Sequence, residues 1–229
     1  MTIQAVLEQS LSLLLHEKIE ITGCGRTDAG VHAKNFYAHF DTSQKLDATH
    51  CETLCFRWNG FLPADIQIFR IFKVPETAHA RFDAIARTYE YHVSLSKNPF
   101  LRSYSLCVLQ PLDFDKMNLA GQLLMQHNDF TSFSKLHTQT KTNLCELSQA
   151  EWQTINDTHR VFVITANRFL RNMVRSIVGT LLQVGKGKLD PTEIETIIEK
   201  KDRCAAGTSV PAKALFLADI DYPKDIVNI

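Results

Sequence analysis

Apolar residues near the start of the chain recur at intervals of three and four. Ile3, Val6, Leu7, Leu11, Leu14 and Leu15 fall on one side of a helix running to His16, and that face must lie on something apolar. A strand is predicted over Ile19 to Cys24, followed by a loop punctuated by glycines. From Lys34 to Thr42 the period changes to two, with Phe36, Ala38 and Phe40 on one face and Tyr37, His39 and Asp41 on the other. A helix is expected from Asp47 to Trp58, a turn over residues 59–65 around Gly60 and Pro63, and a strand from Ile66 to Val74. Arg87 to Ser94 alternates cleanly, so Tyr89, Tyr91 and Val93 share one side of a strand and Thr88, Glu90 and His92 the other.

The second half continues with a strand at Tyr104 to Leu109, a helix at Phe114 to Gln126 and a polar stretch from His127 to Ser148. Arg160 to Asn167 reads as a strand. The strongest helical pattern runs from Arg168 to Gln183, where Leu170, Met173, Val174, Ile177, Val178 and Leu181 fall on one arc and Arg168, Arg171 and Arg175 line its edge. Asp190, Pro191 and Glu193 make a good helix start, and that helix is expected to end near Lys201. A last strand, Leu215 to Asp221, stops at Pro223. Helices inserted unevenly among strands predict an α+β fold with a largely antiparallel sheet.

Composition narrows the class. With 229 residues and 45% hydrophobic content the chain can bury a sizeable core. Its longest apolar runs fall far short of the roughly 20 residues that span a bilayer. Six scattered cysteines form no CxxC pair, and no charged-then-apolar leader is visible, which predicts free thiols in the cytoplasm. Cys51 and Cys55 beside His50 sit one helical turn apart, but no second cluster completes a tetrahedral metal site, so core cysteines are expected there. Lys plus Arg and Asp plus Glu balance at 25 each, which gives no support to a nucleic-acid partner. Local charge does: between Thr158 and Leu189 lie six basic residues, Arg160, Arg168, Arg171, Arg175, Lys186 and Lys188, and no acidic one.

The candidate chemistry lies in the loop GCGRTDAGVHA, Gly23 to Ala33. Three glycines within eight residues permit turns that side chains forbid, and between them lie Arg26, Thr27 and Asp28. A dinucleotide loop fails on spacing, because its third glycine would stand where Asp28 does, and a phosphate-binding P-loop fails for want of its lysine. From residue types alone the loop fits a capped turn as well as a catalytic one. Taken singly, Tyr89 fits a core tyrosine, Arg175 a snorkelling helix-edge residue, and the other basic side chains a solvated face.

GRTDAGVHA (25–33) resembles the catalytic-loop signature of TruA-type tRNA pseudouridine synthases. NGFLPADI (59–66), HARFDAIARTYEY (79–91), NDFTSF (128–133), NRFLRNMVRSIVGTLLQVGKGK (167–188) and AAGTSVPAKALFLADIDYP (205–223) resemble further segments of that family, in the same order. The resemblance implies two fused α/β subdomains, residues 1–96 with the aspartate loop and 97–229 with the Arg-rich helix, sharing a helix-flanked sheet with a cleft across its middle. It implies that Asp28 is the catalytic carboxylate, that Arg175 pairs with it and that Tyr89 stacks on the target uracil. Arg26 is then the candidate to fill the space left by the base or to grip its phosphate, and Arg168, Arg171, Lys186 and Lys188 are candidates to hold RNA backbone. The implied partners are tRNA, at its anticodon arm, and a second copy of the chain; no cofactor and no metal are implied. Whether the carboxylate attacks the sugar, attacks the base or removes a ribose proton stays open.

Two departures stand out. The family's usual first strand, with its tyrosine-, glycine- and glutamine-bearing segment, is expected ahead of the first helix, and here Met1 leads almost directly into that helix. Its loss would leave an unpaired sheet edge. Ala214 replaces a common glycine. A truncated relative that binds tRNA without turning over is therefore the second expectation. A small-molecule glycosidase ranks below both, because it needs two carboxylates at one bond and the loop supplies only Asp28.

Overall fold

A computed structural model describes residues 2–135 and 142–227; part of the polar stretch 127–148 lies outside the described residues. In chain order the elements are α1 (Ile3–Leu15), β1 (Thr22–Gly23), β2 (His32–Ala33), β3 (Ala38–His39), α2 (Ala48–Phe61), β4 (Ala86–Ser94), β5 (Leu106–Cys107), α3 (Phe114–Leu124), β6 (Leu147–Asn156), β7 (His159–Ala166), α4 (Met173–Gly185), α5 (Glu193–Glu199) and β8 (Leu215–Asp221). The chain is α+β, with a mixed sheet.

The chain forms two compact units that interleave in sequence. Met1–Arg26, Phe36–Ala84 and Tyr222–Ile229 make the first; Thr27–Asn35 and Ile85–Asp221 make the second. A single cut after residue 96 divides the chain differently. The physical reason is the sheet: β2, near the start, and β4 both pair with β8, near the end, and so belong with it.

In the first unit α1 begins on a Thr2 side-chain cap and α2 on Asp47, whose carboxylate accepts from the His50 amide. Leu11, Leu14 and Leu15 of α1 are buried with Ile19, Ile21, Leu54 and Trp58, and the Trp58 indole donates to the Ser10 hydroxyl at 2.7 Å. Helix α2 extends into the first residues of the expected turn, to Phe61, and the turn follows, with the Ile66 amide donating to the Pro63 carbonyl. The strand expected at Ile66 to Val74 is absent from the described elements. There the Asn59 amide takes both backbone groups of Ile68, so a side chain satisfies what a neighbouring strand would have paired.

The second unit is a six-stranded sheet ordered β2-β8-β4-β7-β6, with β5 beside the far end of β4. The β4·β7, β4·β8 and β6·β7 ladders are antiparallel, while the two-residue pairings β2·β8 and β4·β5 are parallel. Strand β6, unread in the sequence, forms a hairpin with β7. Its outward residues Glu151, Gln153 and Ile155 are exposed and its apolar positions few, so hydrophobic alternation is weak there. Tyr91, Val93, Phe162 and Ile164 of the sheet are buried with Met173, Ile177 and Leu181 of α4 and Ile194 and Ile197 of α5. Helix α3 lies so close to β6 that a Cβ at Gly121 would come 2.3 Å from the Ala150 carbonyl oxygen.

The opposite sheet face carries a polar group. His92 Nδ1 meets His159 Nε2 at 3.0 Å, His92 Nε2 meets a Glu90 carboxylate oxygen at 3.0 Å, and Lys34 pairs with that same oxygen. Burial holds the His92 imidazole below its ordinary value, Glu90 opposing and Lys34 and His159 assisting; burial lowers His159 too. A histidine depressed in the fold is protonated first in the unfolded chain. Stability is therefore lost as pH falls below about 6.5 and towards the depressed folded value. The urea midpoint should fall between pH 7.5 and 5.5, and by less in a His92→Gln variant; an equal fall in both proteins would remove His92 from the account.

Candidate active site

The loop that carries Asp28 is held at its far end by the sheet. His32 and Ala33 pair with Phe216 and Leu217, and the Lys34 amide donates to the Leu217 carbonyl at 2.8 Å. Before that strand the chain turns, with the Val31 amide donating to the Asp28 carbonyl at 3.1 Å. Gly30 sits in the turn at φ +83°, a conformation that costs glycine little and a side chain more. The short β2 and the tight turn together fix where the Asp28 carboxylate emerges.

Arg175 approaches from the first turn of α4. Sequence periodicity predicts this helix from Arg168, but it starts at Met173, because Asn172 adopts a left-handed conformation at φ 67° and breaks the helical path. Arg168 and Arg171 therefore lie in the segment leading into the helix rather than along its edge. Arg175 Nη1 donates to Asp28 Oδ2 at 2.9 Å, and Arg171 Nε lies 3.8 Å from Asp28 Oδ1. The carboxylate is three-quarters buried and so is the Arg175 side chain, whereas Arg171 is exposed. At this depth the direct pair is screened less than a surface pair would be.

A second set of bonds aims the arginine. Arg175 Nε donates to the Val210 carbonyl at 2.7 Å, and the Val210 amide donates to the Arg175 carbonyl at 3.1 Å. The next carbonyl, of Pro211, accepts from the Tyr91 hydroxyl at 3.0 Å. Burial pushes the Tyr91 phenol well up, with the Arg175 charge pulling the other way, so Tyr91 acts there as a neutral donor. Sequence reading gave no role to Tyr91 or to Val210. The one signal available was the AAGTSVPAKALF segment itself, whose function rests on backbone carbonyls that residue types do not reveal.

Tyr89 lies on the same side of β4 as Tyr91, as the alternation predicts, and is half-buried. Its ring packs edge-on against Phe169 with centroids 5.1 Å apart, two residues before Arg171. The β4·β8 register shifts between Thr88 and Tyr89, where β8 leaves Ala218 unpaired opposite them.

The remaining candidates are dispersed. Arg26 is exposed and is the last residue of its segment in the first compact unit. Arg168 is half-buried just before Phe169. Lys186 and Lys188 follow the C-terminal end of α4, roughly 16 Å along the helix axis from Arg175, on either side of Gly187 at φ +67°. Asp28, Arg171 and Arg175 are thus brought together, while Lys186 and Lys188 stand apart from them. All six cysteines are free thiols, with Cys51 buried and Cys55 half-buried. Among the described residues, no three His, Cys, Asp or Glu side chains are grouped to hold a metal ion, and no helix is long and apolar enough to cross a membrane.

Asp28, in a glycine-framed loop of an α+β chain, is thus paired to an arginine 147 residues away. Comparison with known proteins supplies the family. The family model for tRNA pseudouridine synthase matches residues 120–223. The tRNA pseudouridine synthase A of Bacteroides thetaiotaomicron is 51% identical over 229 residues, covering 99% of this chain and 84% of that protein. Proteins of the same name from Bacteroides fragilis and Bacillus pumilus are 49% and 38% identical, covering 98% and 96% of this chain and 88% and 90% of their own lengths. The chain belongs to the tRNA pseudouridine synthase family.

Proposed function

We propose that this protein isomerises uridine to pseudouridine in the anticodon stem-loop of tRNA, with Asp28 as the catalytic carboxylate. The observation that carries the reading is the 2.9 Å pair between Asp28 and Arg175 in a chain half identical to proteins named for this reaction. In the reaction the N1–C1′ bond of uridine breaks, the uracil turns, and C5 bonds to C1′. C5 gives up its proton and N1 takes one up, so nothing is oxidised or hydrolysed and no cofactor is needed. Arg175 Nη1, 2.9 Å from Asp28 Oδ2, is the cation that faces the carboxylate beside the bound base.

The base must leave its stack to reach Asp28, at a cost of a few kcal/mol. Tyr89 stacks on the uracil, which returns about 1 to 3 kcal/mol. Arg26, two residues before the aspartate, fills the vacated space or grips the phosphate. Arg168, Arg171, Lys186 and Lys188 hold backbone phosphates without reading sequence. The exposed Arg171 beside Asp28 has the strongest claim of the four. In the same reading the protein acts in the cytoplasm as a homodimer whose cleft accepts folded RNA by shape.

Unmodified tRNA transcripts incubated with the protein should gain pseudouridine at anticodon-arm positions, mapped by chemical probing. Tight binding with no product would instead select a tRNA-binding module.

A further inference from the structure

Resting on that reading, the geometry points to Arg203 as a positioning residue for the isomerisation, one that holds Arg175 in line with Asp28 without touching substrate. A side chain as long as arginine has many rotamers, and its aim here depends on Val210, which accepts from Nε and donates to the Arg175 carbonyl. What fixes Val210 is its neighbourhood. Ser209 Oγ accepts from Arg203 Nη2 at 2.8 Å and from Asn172 Nδ2 at 2.6 Å, the latter being the left-handed residue that sets the start of α4. Arg203 Nη1 donates to the Ala206 and Gly207 carbonyls at 3.4 and 3.2 Å, and the Gly207 amide donates to Thr180 Oγ1 on α4 at 2.8 Å.

One guanidinium thus gathers the turn through residues 206–209, which is bonded through Ser209 to Asn172 just before α4 and through Gly207 to Thr180 in the middle of that helix. The planar fork suits three acceptors spread over four residues; a lysine ammonium on a flexible stem does not reproduce it. Arg203 is half-buried and spends these donors on carbonyls and a hydroxyl rather than on RNA.

The test compares Arg203→Met and Arg203→Lys in the full chain, alone and with Arg175→Lys. Three quantities are read: kcat on saturating tRNA transcript, Kd for that transcript, and solvent exchange of the Arg175 Nε–H by 15N NMR. Arg203→Met is expected to lower kcat on the order of 10- to 100-fold with Kd unchanged within about twofold, to speed Nε–H exchange, and to be rescued little by lysine. In the Arg175→Lys background the same substitution should cost little more, because both changes break one linkage. Should Arg203→Met fail to fold, Ser209→Ala removes the hydroxyl that joins Arg203 to Asn172 and must give the same pattern in smaller measure. Unchanged kcat, unchanged Nε–H exchange, or a full additional loss on top of Arg175→Lys would overturn the inference. If the unaltered protein forms no pseudouridine, the proposed function fails, and the Nε–H comparison still decides whether Arg203 positions Arg175.

Discussion

An Asp28→Asn variant should bind tRNA as the unaltered protein does and form pseudouridine at least about a thousand-fold more slowly. Asparagine keeps the shape of the side chain and an oxygen for Arg175 Nη1 to bond, so the turn closed by Val31 and the β2·β8 pairing are undisturbed. What it removes is the negative charge, and with it any capacity to act as nucleophile or base at the ribose. Thermal melting should shift by only a few degrees, because asparagine keeps a hydrogen bond to Arg175 Nη1 and the volume of the side chain. Product formation near the original rate would exclude Asp28 as the catalytic group, whatever the binding.

The second large effect concerns Gly179, in the middle of α4. A Cβ built there would lie 1.9 Å from the Thr208 carbonyl oxygen, and one on Gly207 would lie 2.8 Å from the Thr180 nitrogen. Two glycines therefore let helix and turn meet backbone to backbone. Gly179→Ala must push the turn away, at a cost of about 3 kcal/mol. For a chain of this length that is a fall of roughly 6 to 12 °C in melting temperature. It should also depress kcat, since Val210 follows Thr208 by two residues and aims Arg175. Gly60→Ala is the contrasting case: it sits in α2 with nothing within 4 Å of the added carbon and should leave stability unchanged or slightly raised. Equal melting temperatures for the Gly179 variant and the unaltered protein would refute the close packing.

How much of this was legible in the sequence varies with the kind of interaction. Period-four and period-two patterns located α1, α3, β4 and β8 closely, because each buries one face in a core. The same logic overextended α4 towards Arg168, since Asn172 departs from helical geometry to bond Ser209, a partner 37 residues away. It also drew a strand at Ile66 to Val74, where apolar residues reach the core but Asn59 satisfies Ile68. The pairing of Asp28 with Arg175 came into the sequence reading through family resemblance, because no local rule links a turn to a helix so far along the chain. The Val210 carbonyl stayed hidden because it is a main-chain atom, which every residue possesses, and Arg203 and Ser209 because the fold alone brings them to the 206–207 carbonyls and to Asn172.

One short run of chain, Val210 to Leu217, serves both members of the Asp28–Arg175 pair: its beginning grips the guanidinium, and its end pairs with the strand that follows the aspartate. The gap between acid and cation is thereby gauged by a single covalent spacer. Lengthening or shortening the link at Pro211–Ala214 would detune that gap while leaving each anchor in its own place.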